Sequence, residues 1–236
     1  MWAKTCIESS NLSLTANFMY QFIPIPIEEH NNILGASFAN TFALIVEELL
    51  VPLRKYGFKE EFNKQLWEEI VAISIPSATW CGAGNNVVDV KTPMADLDVK
   101  GLSAKTTASI STEASYMQNL KQVNNNFMES VNNGDFADLF AKFVAPLDIK
   151  LKDTNNLHIF ALLRISGSIY YALLKVEKSE LSDQEFIKLM HMKSNGAIYV
   201  PMIADKNGVT TFNIAKRRLE LRLNCKGLLP YMVKAI

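Results

Sequence analysis

Cysteine and histidine are scarce in this chain, and the few present are poorly placed for metal or disulfide chemistry. Cys6, Cys81 and Cys225 are odd in number, widely separated and part of no CxxC or Cys/His cluster, which excludes a disulfide framework and a structural zinc site. His30, His158 and His191 stand at no metal-ligand spacing to one another. Charge of one sign is also missing: 24 basic residues meet 24 acidic ones for a formal net charge of zero. That balance argues neither for nor against nucleic acid, because phosphate binding needs a local positive surface and not a basic average. No apolar run reaches the ~20 residues of a membrane span. The most apolar stretch, 158–174, is interrupted by Arg164 and a Ser-Gly-Ser step. The first residues show no basic region followed by an apolar signal core. The glycines at 82 and 84 precede no Gly-Lys-Ser/Thr, so no phosphate loop is present. No repeat or low-complexity tract appears. A protein of the reducing cytoplasm, with no membrane partner, is the expectation.

What is present is a chain of 236 residues with a hydrophobic fraction of 49%, long enough and apolar enough to bury a full core in one domain. Residues 1–26 read as irregular, with Pro24 and Pro26 marking extended chain. Residues 28–53 carry a helical pattern, with Phe38, Phe42, Ile45 and Leu49 on one stripe and Ala39, Ala43, Val46 and Leu50 beside it; Pro52 and Gly57 are expected to end it. A second helix is predicted over 59–72, with 73–76 extended. Downstream, 105–112 is rich in Ser and Thr and reads as a loop capping a helix over 112–131. Residues 147–151, 157–165 and 169–176 read as strands, the last two joined at Ser166-Gly167-Ser168. Ser182 and Glu185 form a capping box for a short helix over 183–192. Residues 197–204 and 209–212 flank a turn at 205–208, and 219–223 alternates apolar and charged residues.

The richest segment for chemistry is 86–103. Two short β-rich runs, 87–91 and 97–102, flank Thr92-Pro93-Met94-Ala95, where Pro93 suits the second position of a turn. Because strand side chains alternate, Val88, Val90, Leu97 and Val99 share one side, while Asp89, Lys91, Asp96, Asp98 and Lys100 share the other. With the corner at Pro93 and Met94, Asp89 is predicted opposite Asp98, and Lys91 opposite Asp96. Facing side chains on paired strands stand about 5 Å apart, so two carboxylates there repel one another. A chain tolerates this on a wet face, or uses it to hold a divalent cation. Lys100 lies one strand repeat beyond Asp98, within reach of the same place.

The triplet Asp-x-Lys occurs three times, at Asp89, Asp98 and Asp148, and alone carries no weight. The second triplet has an acid, Asp89, on a preceding strand. Asp89, eight intervening residues and Asp98-Val99-Lys100 resemble the acid…(Asp/Glu)-x-Lys signature of the PD-(D/E)XK nuclease superfamily. With Gly101-Leu102-Ser103 following, the segment is similar to type II restriction endonucleases. The resemblance is strong over roughly twenty residues and extends to the rest only in layout; Val88 stands where proline often precedes the first acid.

The resemblance implies an α/β fold with a mixed central sheet flanked by helices, a restriction-endonuclease-like core. It implies a Mg²⁺-dependent endodeoxyribonuclease cutting double-stranded DNA at a specific short sequence, acting as a homodimer. Asp89, Asp98 and Lys100 would be catalytic; Asp89, Asp98 and the Val99 carbonyl would bind Mg²⁺. Hard divalent ions bind through one or two carboxylates and keep several waters. An ammonium nearby stabilises developing negative charge. DNA contact is expected from Lys105, Lys216, Arg217, Arg218 and Arg222, since arginine forks suit phosphates and guanine edges. One nuclease domain over 1–236 is expected, with an irregular segment at 1–26, a catalytic core at 27–176 and added strands for DNA contact or dimerisation at 177–236. A repair or recombination nuclease on the same core, and a non-enzymatic interaction protein with a merely amphipathic hairpin, are the alternatives.

Overall fold

Two apolar runs, at 159–163 and 169–174, become the centre of a sheet. A computed structural model describes residues 20–57, 63–82, 88–100, 109–112, 133, 156–178, 182–189, 191–192, 198–199, 212–213, 218–219 and 221–236. Within them, β6 (Leu157–Ile165) and β7 (Ser168–Lys178) form a long antiparallel hairpin. β6 is apolar almost throughout, as a strand covered on both faces must be, and seven successive residues from Leu157 to Leu163 are buried. The turn has two residues, Ser166 (φ 50°) and Gly167 (φ 86°). Positive φ at both positions matches the right-handed twist of the strands it joins.

Around this hairpin are β1 (Tyr20–Pro24), β2 (Thr79–Trp80), β3 (Val90–Lys91), β4 (Asp96–Lys100) and β13 (Val233–Lys234), giving a seven-stranded mixed sheet. The order is β1-β7-β6-β4-β3-β2, and β13 pairs β7 beside β1. Every pairing is antiparallel except β4 with β6. β1 takes the later half of β7, from Leu174 to Lys178, and β13 takes Tyr170 and Tyr171. The chain is therefore a mixed α/β fold with a central sheet and helices, as expected.

A 3₁₀ turn (Ile27–Glu29) leads into α1 (His30–Leu34), α2 (Phe38–Lys55) and α3 (Lys64–Ser74). Residues from α1, α2 and α3 share one buried apolar cluster with Val90, Leu97, Val99, Phe160, Leu162, Tyr171 and Leu173 of the sheet. Its centre is aromatic. Phe42 lies 6.0 Å from the ring of Phe160, 6.0 Å from Tyr171 and 6.3 Å from Trp67, separations typical of favourable ring pairs. No single helix among the described residues is long and apolar enough to cross a membrane.

Several local expectations change. The helix predicted over 28–53 is broken at Gly35, whose φ of 87° leaves the helical region. A Cβ there would meet the Pro76 ring at 3.3 Å, so the break also admits a close approach. Pro52 does not end α2, which continues to Lys55 before Gly57 turns at φ 78°. A proline in the last turn forfeits one amide bond without stopping the helix at once. The buried stripe is Phe38, Phe42, Val46 and Leu50, a straight i,i+4 row, while Leu49 is exposed. Residues 20–24 form an edge strand instead of irregular chain. Ser109–Thr112, within the Ser/Thr-rich loop, is a strand (β5) paired with β12 (Leu221–Asn224). The short helix α4 (Asp183–Leu189) stops early, and β8 (His191–Met192) pairs with β9 (Ile198–Tyr199). A further ladder joins β10 (Phe212–Asn213) to β11 (Arg218–Leu219). Most of the predicted helix at 112–131 and the strand at 147–151 lie outside the described residues.

Candidate active site

The corner between β3 and β4 is fixed by Thr92. Its Oγ1 accepts from the amides of Met94 (3.1 Å) and Ala95 (2.9 Å), and its own amide donates to Ala95 O at 2.9 Å. Asn156 Nδ2 donates to Met94 O at 2.9 Å, tying the corner to the start of β6. Lys91 pairs with Asp96 and Val90 with Leu97, as the alternation predicts.

At Asp89 the ladder departs from that simple register. The Asp89 amide donates to Leu97 O at 2.9 Å, although Leu97 is already the partner of Val90. Two residues of one strand thus oppose one of the other, which is a β-bulge, a device that re-aims a side chain. Asp89 is therefore not the plain cross-strand partner of Asp98. Its carboxylate turns back onto β4, where Oδ2 accepts from the Val99 amide at 2.8 Å. Within a strand residue the N–H and C=O point to the same side, so the Val99 carbonyl faces the edge that Asp89 occupies. Cys81 N donates to Asp89 O at 2.9 Å and closes the other side of the bulge.

The acid-bearing side is no wet face. Asp89 and Asp96 are buried, and Asp98 and Lys100 are half-buried. Lys100 Nζ lies 2.6 Å from Asp98 Oδ1. Helix α3 supplies two residues that sequence reasoning missed. Asn63 caps it, its side chain accepting from the Leu66 amide at 2.8 Å, and this sets Lys64 and Glu68 one turn apart. Lys64 Nζ is 2.9 Å from Glu68 Oε1 and 3.3 Å from Asp89 Oδ1. Glu68 is buried and takes the Trp80 indole N–H on Oε2 at 3.2 Å. The signal available in the sequence was a helical Lys/Glu pair at i,i+4, with the acid beside the apolar Trp67, Ile70 and Val71. Nothing local tells that this helix end meets residue 89.

The electrostatics follow from this crowding. Burial, and then the charge of Asp98, push the Asp89 carboxyl up to about 7; Lys64 opposes the rise, Glu68 adds to it and Lys100 opposes it. Lys64 is pulled down by burial, but its bond to Glu68 and the charges of Asp89, Glu68 and Asp98 outweigh that and raise it. Asp89 is thus a buried acid with a carboxylate neighbour and too little positive charge around it.

Among the described residues no three His, Cys, Asp or Glu side chains are grouped to hold a metal ion. A cation here would draw on Asp89, Asp98 and the Val99 carbonyl, with water completing the shell. Those are hard oxygen donors of the kind Mg²⁺ takes, and the excess negative charge at Asp89 fits such an ion. Of the expected DNA contacts, Arg218 lies in β11 opposite Asn213 and Arg222 in β12 opposite Ser111. Lys105, Lys216 and Arg217 lie outside the described residues. Comparisons of the chain with protein-family models, curated proteins and solved structures give no match.

Proposed function

We propose that the protein is a Mg²⁺-dependent endodeoxyribonuclease that hydrolyses phosphodiester bonds in double-stranded DNA at a short specific sequence. The observation that carries this reading is the bulge at Asp89, which puts a buried carboxylate on the backbone of Val99 beside the Asp98–Lys100 pair. Asp89, Asp98 and the Val99 carbonyl would hold the ion. When bound, a divalent cation polarises the phosphoryl oxygen and lowers the pKa of a water. Lys100, kept at the site by Asp98, offsets negative charge that builds on the phosphate. The order of helix, strand hairpin and further strands resembles a restriction-endonuclease-like core. On this reading the protein works in the cytoplasm as a homodimer, with Lys105, Lys216, Arg217, Arg218 and Arg222 touching DNA.

The test is incubation of a sequenced phage genome with protein and Mg²⁺, followed by mapping of fragment ends. Discrete ends at one short sequence support restriction; ends that depend on a lesion or structure move the reading to repair or recombination. Asp98→Ala and Lys100→Ala should each lower cleavage by about 10²-fold or more with folding and DNA binding intact. Unchanged cleavage in both would end the assignment. A second reading, a non-enzymatic interaction protein with a structural hairpin, is favoured by one observation: each of the two aspartates already has a lysine partner.

A further inference from the structure

The Lys64 ammonium is the one charged group of this cluster with a ready way out. Its side chain is 55% exposed, whereas the carboxyl side chains it touches, Glu68 and Asp89, are 5% and 8% exposed. Glu68 is held from behind by the Trp80 indole and Asp89 by the Val99 amide, so neither follows the lysine if it leaves. Lys64 also sits in the first turn of α3, where the positive end of the helix dipole disfavours a cation. The helix itself therefore gives no reason for a lysine there; the two acids do.

Charge balance points the same way. With all three carboxyls ionised, Asp89, Asp98 and Glu68 are met by Lys64 and Lys100, which leaves one negative charge unmatched. A divalent ion in place of the Lys64 ammonium leaves none. We infer that Lys64 is an internal counter-ion that keeps the cation's place at Asp89 and swings into solvent when the ion is taken up. The inference rests on the metal-site reading given above. It makes Lys64 a competitor for the ion and not one of its ligands, and it assigns the residue a gating role: the vacant site stays paired and folded, and loading is harder than the carboxylates alone would make it.

The experiment is calorimetric titration of the full chain with Mg²⁺ and Mn²⁺. Lys64→Gln should bind either ion about fivefold or more tightly than the unaltered protein, the scale expected when one ion pair and one repelling charge are removed. Lys64→Arg keeps the charge and should bind as the unaltered protein does. Lys91→Gln, an exposed lysine two residues from Asp89, removes the same charge without the contact and should leave affinity unchanged. Equal affinity in Lys64→Gln and the unaltered protein overturns the inference alone, as does an equal gain in Lys91→Gln. No ion binding by the unaltered protein or Lys64→Gln, with DNA present, overturns the metal-site reading and this inference together. Where Lys64→Gln does not fold, the Lys64 ε-methylene resonance of the unaltered protein is followed during Mg²⁺ titration, assigned by its loss in Lys64→Arg. Movement that saturates with binding supports displacement, and an unmoved resonance while the ion binds refutes it.

Discussion

A carboxyl group that keeps its proton to about pH 7 changes how stability depends on acidity. In the unfolded chain Asp89 loses its proton near the ordinary aspartate value of about 4. Between there and pH 7 the folded state therefore binds the extra proton, and stability falls as pH rises through that window. The metal-free protein should lose stability from pH 4 toward 7 through this group, and Asp89→Asn should remove that limb. On the metal-site reading proposed above, added Mg²⁺ should flatten it, because an ion favours the charged carboxylate. Denaturant midpoints measured across pH, with and without the ion, check both. His30 and His158 work in the opposite direction. Both are buried, and burial lowers their pKa, so their contribution is present above pH 6.5 and is lost as pH falls below it. His30 Nε2 bonds Ile25 O at 3.1 Å, and His158 Nδ1 bonds Asn156 O at 2.7 Å. Replacing either with Phe should weaken the protein at pH 7.5 yet reduce its acid sensitivity, which thermal melts at pH 7.5 and 5.5 would show.

At the scale of elements, α2 is held by one row of side chains. Phe42 is fully buried among Phe38, Phe160, Trp67 and Tyr171. Phe42→Ala should cost about 3–5 kcal/mol, and Leu49→Ala, on the exposed side, within about 0.5 kcal/mol; urea unfolding of the two variants measures the contrast. Elements with one dominant local signal were legible in the sequence. The strand 157–165 matches its predicted bounds, because a continuous apolar run ended by Ser-Gly has few other solutions, while the turn is one residue shorter than predicted and Ser168 already belongs to β7. The capping box was equally plain, with Ser182 N donating to Glu185 Oε2 at 3.0 Å and Glu185 N to Ser182 Oγ at 3.4 Å. Elements that depend on a distant partner were not legible. Tyr20–Pro24 is a strand because β7 offers it an edge, and Ser109–Thr112 because β12 does. In the candidate site the aspartates and Lys100 could be picked out by spacing. The bulge was hidden, since it is a relation between two strands, and Lys64 and Glu68 were hidden because their helix meets Asp89 only in three dimensions.

For the whole molecule, the far edge of the sheet is closed by chain from both sides of the sequence. β13 lies along β7, and Ala235 N donates to Ile169 O at 2.8 Å while Ile169 N donates to Ile236 O at 3.2 Å. Val233, Ala235 and Ile236 pack on the same cluster as α2 and α3. The segment at 177–236 thus also contributes a strand, β13, to the central sheet. Ala235→Pro removes the donor to a buried strand, and should cost about 1–3 kcal/mol, equivalent to several degrees in the melting temperature. Calorimetry checks it; an unchanged melt would mean that the edge does not depend on this bond.

The doubled residue at Asp89–Val90 also dictates where this protein tolerates changes of length. One residue added or lost between the bulge and Lys100 would rotate every following side chain to the reverse of the sheet, carrying Val99 outward and Asp98 into the hydrocarbon interior. Distant descendants of this sequence should therefore keep eight residues between the first aspartate and the second.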